Sequence, residues 1–253
     1  YVLSRQYFFG RGTHKSHEQS ATWLRRAADQ GHAQGQFMLG ISYYLGHGVG
    51  PDAEQALEWY HLAADQGWAE AQYMIGLAHL ENGEMEQYFE WIKRAADQGL
   101  ADAQRDVGLA YLDGRGVEAD QAKAVQWIEK AALQDDLGAL FQLAVFFAEG
   151  HGVPQSFRQA IHLFHRAAEQ GHVGALNDLG THYANGRGVP EDVVLAYMLF
   201  NLAAARGSDV AADNRRILLN GMTPQQVQEG QTLSTGWVEG TRLPRLSRLG
   251  QRL

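Results

Sequence analysis

Five residues return at a fixed step. Ala-Ala-Asp-Gln-Gly begins at Ala27, Ala63 and Ala95, and degenerate copies begin at Ala131, Ala167 and Ala203, at intervals of 36, 32, 36, 36 and 36 residues. A chain that repeats at this period makes one supersecondary unit again and again. A unit that short cannot bury its own apolar faces, so it must stack on its neighbours. A second motif, Gly-x-Gly-Val, keeps the same step at Gly46, Gly114, Gly150 and Gly186, with a worn copy at Gly10-Arg11-Gly12. The third unit lacks it and reads Glu81-Asn82-Gly83-Glu84, which accounts for the one short interval. Four residues are missing from a loop while both flanking patterns survive, as loops tolerate and helix faces do not.

Each unit divides into two helical patterns. In the first, Gly35, Ala71, Ala103, Ala139 and Ala175 are followed four residues later by Leu39, Ile75, Val107, Leu143 and Leu179. Four further on stand Tyr43, His79, Tyr111, Phe147 and Tyr183. That spacing is the buried stripe of an α-helix. Gly40, Gly76, Gly108 and Gly180 fall mid-helix, where glycine costs about 1 kcal/mol against alanine, so a neighbouring helix is expected to approach closely there. The second helix opens on Ser16, Asp52, Asp120, Ser156 and Asp192, residues that cap the free N–H groups of a first turn. Trp23, Trp59, Trp91, Trp127, Leu163 and Leu199 share its next core position, and these tryptophans are expected on buried stripes. Gly31, Gly67, Gly99, Gly171 and Gly207 supply a left-handed residue at the helix end, with Asp135 as the one departure.

The fold expected is therefore all-α, an α/α superhelical solenoid of helix-turn-helix repeats over residues 1–207. Residues 208–240 are expected to form C-terminal capping helices, since Thr223-Pro224-Gln225-Gln226 reads as an N-cap, an N1 proline and a capping-box glutamine. Residues 241–253 lose the pattern and are expected to be a flexible tail.

Composition narrows the function. The net charge of -8 and the absence of any Lys/Arg block leave nucleic acid out of the expected partners. Without a cysteine the chain has no thiolate nucleophile, disulfide or Cys-ligated zinc. No apolar run is long enough to span a bilayer. The sequence begins at Tyr1 rather than Met, which is read as trimming of an upstream segment and favours a periplasmic or envelope-associated location over a cytoplasmic one.

Two motifs carry a chemical alternative. Gly114-Arg115-Gly116-Val117-Glu118-Ala119 fits a dinucleotide-binding fingerprint, but a helix precedes it where a strand is required, and its siblings recur at every loop. His14 with His17, and His162 with His165, have metal-compatible spacing, yet no carboxylate or third ligand accompanies them, and the register of His165 with His61 and Arg25 reads as a solvated face. No cofactor, metal or catalytic residue is expected.

The combined pattern, Ala-x-x-x-Leu-Gly-x-x-Tyr, then Gly-x-Gly-Val-x-x-Asp, then Trp-Tyr-x-x-Ala-Ala-x-Gln-Gly, resembles the Sel-one-like repeat family, short α/α units related to tetratricopeptide repeats. The resemblance covers residues 1–207. It implies a bacterial adaptor in signalling, secretion, envelope assembly or host interaction, with a protein or peptide as partner and a homodimer possible. The alternatives are an envelope glycan or peptidoglycan-binding module, for which exposed Trp or Tyr would be required, and a hydrolase acting on cell-wall precursors.

In repeat solenoids the first helices line the concave surface. Opposite their buried stripe the helical period puts Phe37, Met38 and Ile41, then Tyr73, Met74 and Leu77, then Arg105 and Asp106, Phe141 and Gln142, and Asn177 and Asp178. Such a mixed apolar and charged stripe suits a peptide groove. The competing reading is packing against the next unit. Charge reversal at Arg105 and Asp106 is expected to weaken capture without lowering the melting temperature.

Overall fold

The computed structural model describes residues 1–244, and among them every regular element is a helix. They fall into two compact units that meet in sequence at Asp120–Gln121. The first holds α1 (Val2–Phe9), α2 (His17–Asp29), α3 (Ala33–Leu45), α4 (Ala53–Ala64), α5 (Ala69–Glu81), α6 (Met85–Asp97) and α7 (Ala101–Asp113). The second holds α8 (Gln121–Leu133), α9 (Leu137–Glu149), α10 (Phe157–Glu169), α11 (Val173–Asn185), α12 (Val193–Ala205), α13 (Asp209–Leu219) and α14 (Pro224–Gly236). In each unit a helix packs on those next to it in sequence, the expected solenoid order, except that α14 packs on α12 rather than on α13.

Local chemistry fixes the helix ends. The side chains of Ser16, Asp52, Ser156 and Asp192 accept N–H bonds from the first turns of α2, α4, α10 and α12. Thr223 and Gln226 form the capping box of α14, with Pro224 at its start. Asp135 is the one non-glycine residue with positive φ, at 60°, among the described residues. The inter-helix loop closes by one recurring bond: the amide of the cap residue donates to the carbonyl nine positions back, as Asp52 does to Tyr43 and Ser156 to Phe147. Where four residues are missing, Glu84 N–H donates to His79 O instead, and the His79 ring meets the Glu84 carboxylate at 2.5 Å.

Two kinds of glycine let the helices close. A Cβ on Gly40 would stand 2.6 Å from Tyr60, and the same approach recurs at Gly76 to Ile92 and Gly180 to Phe200, so the mid-helix glycines are where the paired second helix comes nearest. Gly48 has φ +76°, and a Cβ there would stand 2.0 Å from the carbonyl oxygen of His17 at the start of α2. The Gly-x-Gly loop of one repeat thus lies on the backbone of the second helix before it.

The core is made of one stripe per helix: the predicted Leu39, Ile75, Val107 and Leu179 from first helices, and Tyr60, Ile92, Ile128 and Phe164, each one residue after the tryptophan position of the second helices, are all fully or nearly fully buried. Each such side chain contributes roughly 1.5–3 kcal/mol. After α14 the chain turns back, and Gly240 N–H donates to Glu169 O at 2.8 Å. Leu243 is buried and its amide donates to the Glu169 carboxylate at 3.1 Å. The first residues of the expected flexible tail are therefore seated on α10, and 245–253 lie outside the described residues.

Candidate functional site

The twelve candidate residues share one property: each is half-buried. In the first unit Phe37 leans on Tyr60 and Trp68, with ring centres 5.8 and 6.2 Å away. Met38 rests on the cluster of Leu24, Ala28 and Leu39, while Ile41 and Met74 rest on that of Tyr60, Ala63 and Ile75. Leu77 shares their degree of burial. On α5 and α7 the stripe turns polar. Tyr73 donates its hydroxyl to Asp106 at 2.8 Å, and Arg105 pairs with Asp102 at 3.0 Å and with Asp106 at 3.4 Å.

Burial pushes the Asp106 carboxyl above the usual carboxylate range, against the opposing pull of the Tyr73 hydroxyl and the Arg105 guanidinium. It pushes the Tyr73 phenol up as well, with the Asp106 charge adding to the effect. Asp106 is thus a bonded, mostly buried group. Reversing its charge would strand Tyr73, so the expectation that this change spares the melting temperature is corrected here.

In the second unit Phe141 stacks on His172 with centroids 4.5 Å apart and tilts toward Phe164 at 6.0 Å. Gln142 beside it is half-buried. Asn177 donates to Asp178 at 3.0 Å and accepts from Asn214 of α13 at 2.9 Å. Asp178 borders a small pocket of about 240 Å³ with Val145, Phe164, His182 and Arg187. Burial raises its carboxyl too, partly offset by Asn177 and His182. The His172 ring accepts the N–H of Ala175 as the cap of α11, and burial holds its pKa below the ordinary value.

Two features on the second helices differ from the sequence reading. Trp127 is buried, but Trp23, Trp59 and Trp91 at the same repeat position are only half-buried and keep one face outward. Those outward faces are covered by cations: Arg26 lies 4.6 Å over Trp23, Arg94 4.5 Å over Trp91, and Arg25 5.8 Å over Trp59. His165, read as solvated, is half-buried and hydrogen-bonds the Tyr183 hydroxyl at 2.9 Å. Among the described residues no group of three His, Asp or Glu is arranged to hold a metal ion. The Gly114–Gly116 loop follows helix α7, and Gly116 lies against the carbonyl of Met85.

Sequence reasoning also passed over a polar ladder. Gln36, Gln72 and Gln104 are buried, and each donates to an alanine carbonyl of the preceding second helix, Ala28, Ala64 and Ala96. Gln66 then donates to Gln36 at 2.7 Å, and Gln98 to Gln72 at 2.8 Å. Gln66 and Gln98 are the glutamines of the Ala-Ala-Asp-Gln-Gly motif. Their recurrence was the available signal.

Six Sel1 repeats match at residues 1–32, 33–68, 69–100, 101–136, 138–172 and 173–208. The chain belongs to the Sel1 repeat family. The solved structure of a protective antigen of uropathogenic Escherichia coli strains, displaying an SLR fold, is similar at 32% identity with TM-score 0.85. The match covers 92% of this chain and 51% of that one, so the chain spans about half the length of that antigen. A Sel1 repeat protein from Oxalobacter formigenes is similar at 27% identity and TM-score 0.79, over 92% of this chain and 95% of its own. No curated protein matches at a significant level. The Sel1 repeat assignment and the α/α solenoid read from the sequence stand together, and among the described residues no helix is long and apolar enough to cross a membrane.

Proposed function

We propose that the chain is a non-enzymatic adaptor that holds a protein or peptide along the faces of its first helices. Sel1 repeat proteins are generally protein-interaction scaffolds and typically non-catalytic. The observation that carries the reading to particular residues is the common half-burial of one repeat position: Phe37, Tyr73 and Arg105 in the first unit, Phe141 and Asn177 in the second. Phe37 and Phe141 lean on rings of their own repeat, Arg105 on Asp102 and Asp106, Tyr73 on Asp106 of the next repeat, and Asn177 on Asn214 of α13. A braced side chain has little freedom left to lose on binding, and aromatic anchors with bonded charges beside them carry much of the energy at protein interfaces. The glycan reading needs open aromatic faces for stacking: half-buried Trp23, Trp59 and Trp91 have arginines over theirs, which leaves the half-exposed Tyr44 as its candidate.

The test is selection of binders from a phage-displayed random peptide library on the folded protein, followed by titration against Leu77→Lys and Gln142→Lys, one variant per unit. Binding at least tenfold weaker in one of them, with an unchanged circular dichroism melt and with Val210→Asp on exposed α13 as the neutral control, supports the adaptor. Selected peptides that bind both variants as they bind the parent protein would sink the first-helix face as the binding surface.

A further inference from the structure

Within the first unit, the space between consecutive second helices, floored by the first helix between them, is plugged by the chain's own side chains. Between α2 and α4, Arg25 donates to the Tyr43 hydroxyl and spans the rings of Tyr43 and Trp59 at 5.5 and 5.8 Å. Between α4 and α6, His61 meets Trp91 edge-on at 5.6 Å. In the second unit the same three repeat positions, between α8 and α10, are Glu129, Phe147 and Leu163. The cation has become an acid, the tyrosine has lost its hydroxyl, and the indole has shrunk to an isobutyl group. Together with Leu133 and Leu143 these three line an open pocket of about 870 Å³.

A second observation points the same way. Arg26 and Arg94 lie over the indoles of Trp23 and Trp91, three residues before them, and Lys130 lies 3.6 Å over Trp127. Arg166 holds the same place after Leu163, so the repeat has kept the cation and lost the ring it covers. Arg166 reaches instead to the Asp135 carboxylate on the protein surface. At the pocket's mouth Leu133 is 82% exposed, the most open large apolar side chain among the described residues. The α10 rim carries Arg158 and His162, both exposed, beside Arg166. Glu129 lines the pocket as well and Asp135 pairs with Arg166, so Arg158 is the rim cation left for a carboxylate.

We propose that this slot receives a tryptophan side chain from a protein partner, flanked in that partner by an acidic residue. The indole supplies the plug that the chain provides for itself in the first unit, with its face offered to Arg166 and its neighbouring carboxylate to Arg158. The proposal rests on the protein-holding reading and adds a second surface to it, on the opposite side of α9 from Phe141.

The test uses N-acetyl-tryptophanamide and the blocked tripeptide acetyl-Asp-Trp-Glu-amide as probes, titrated into methyl-labelled full-length protein. Saturable shifts at the methyls of Leu133, Leu143 and Leu163, tighter for the tripeptide and at least tenfold weaker for N-acetyl-leucinamide, are expected. Leu163→Trp fills the slot from within and should weaken both probes tenfold or more while its unfolding midpoint holds or rises. Leu133→Glu, on an exposed side chain that leaves the core untouched, should weaken them as well and keeps the test decisive if Leu163→Trp folds poorly. Shifts that are absent from these methyls, that persist in Leu133→Glu, or that are as strong with the leucine probe overturn the proposal. Leu77→Lys and Gln142→Lys should leave the titration unaltered. Phage-selected peptides that lose binding in those two variants but keep it in Leu163→Trp and Leu133→Glu uphold the first-helix face and overturn this slot. Probes that bind here when no peptide can be selected uphold the slot and overturn the first-helix face.

Discussion

Gly12 and Gly48 occupy the same place in successive Gly-x-Gly loops and share φ +76°, yet a Cβ on Gly12 meets nothing within 4 Å while one on Gly48 falls 2.0 Å from the His17 carbonyl oxygen. The pair separates two costs that are usually confounded. Alanine at Gly12 bears the left-handed backbone alone, about 1–2 kcal/mol, reduced by the lower entropy of the unfolded chain by about 0.4–1 kcal/mol. Alanine at Gly48 bears the same net cost, and the loop must also retreat by about 1.4 Å to reach ordinary contact at 3.4 Å. The atom in the way is backbone at a helix start, so no side chain can swing aside, and overpacking of this kind adds roughly 1–3 kcal/mol. Gly12→Ala should therefore lower stability by about 0–1.6 kcal/mol, and Gly48→Ala by about 1–3 kcal/mol more than that. Equilibrium urea denaturation of the two variants beside the parent, followed by circular dichroism, measures the difference. If both cost the same within about 0.5 kcal/mol, the loop does not brace the preceding helix, and the account of the second glycine is wrong.

Three further outcomes follow from the buried polar groups. Asp106 has its carboxyl raised by burial, so its favourable contribution is complete below about 3.8 and is lost as pH rises through its native value; Asp106→Asn, which still accepts from Tyr73, should melt no lower than the parent at pH 7, with the gap closing toward pH 4, and a gap that widens on acidification refutes this. His172 is held neutral, so the stability it lends as a cap is present above 6.5 and lost as pH falls through its lowered value; His172→Asn keeps an acceptor without a titration and should flatten the urea midpoint between pH 7.5 and 5, whereas an unchanged slope refutes the assignment. Gln66→Ala should cost about 1 kcal/mol by stranding the amide oxygen of buried Gln36, and adding Gln36→Leu should recover part of that loss in a double-mutant cycle.

The helices were legible because each level of the sequence agreed. The Leu39 stripe, the caps at Ser16 and Asp52, and the left-handed Gly31 and Asp135 all point to one repeat, and the period repeats the message six times. The twelve first-helix residues were legible as a row, but their half-burial was not, since it depends on what Tyr60, Trp68 and His172 do from neighbouring helices. Trp59 misled because hydrophobicity alone counts an indole as core, whereas one repeat position buries Trp127 and leaves Trp59 half-buried. The slot above Phe147 needed three-dimensional register: Glu129, Phe147 and Leu163 are unremarkable substitutions singly, and only side by side do they leave a gap.

The glutamine ladder has a consequence for how such a chain can be rearranged. At the position of Gln36, Gln72 and Gln104 the second unit carries Leu140 and Leu176, both wholly buried. One family of joints is therefore keyed by amides that must find each other, and the other by grease that accepts any apolar face. Repeats cut from the leucine half and spliced among the glutamine joints would leave an amide facing oil. Duplication or shuffling can proceed within each half far more readily than between them, although all six repeats share one fold.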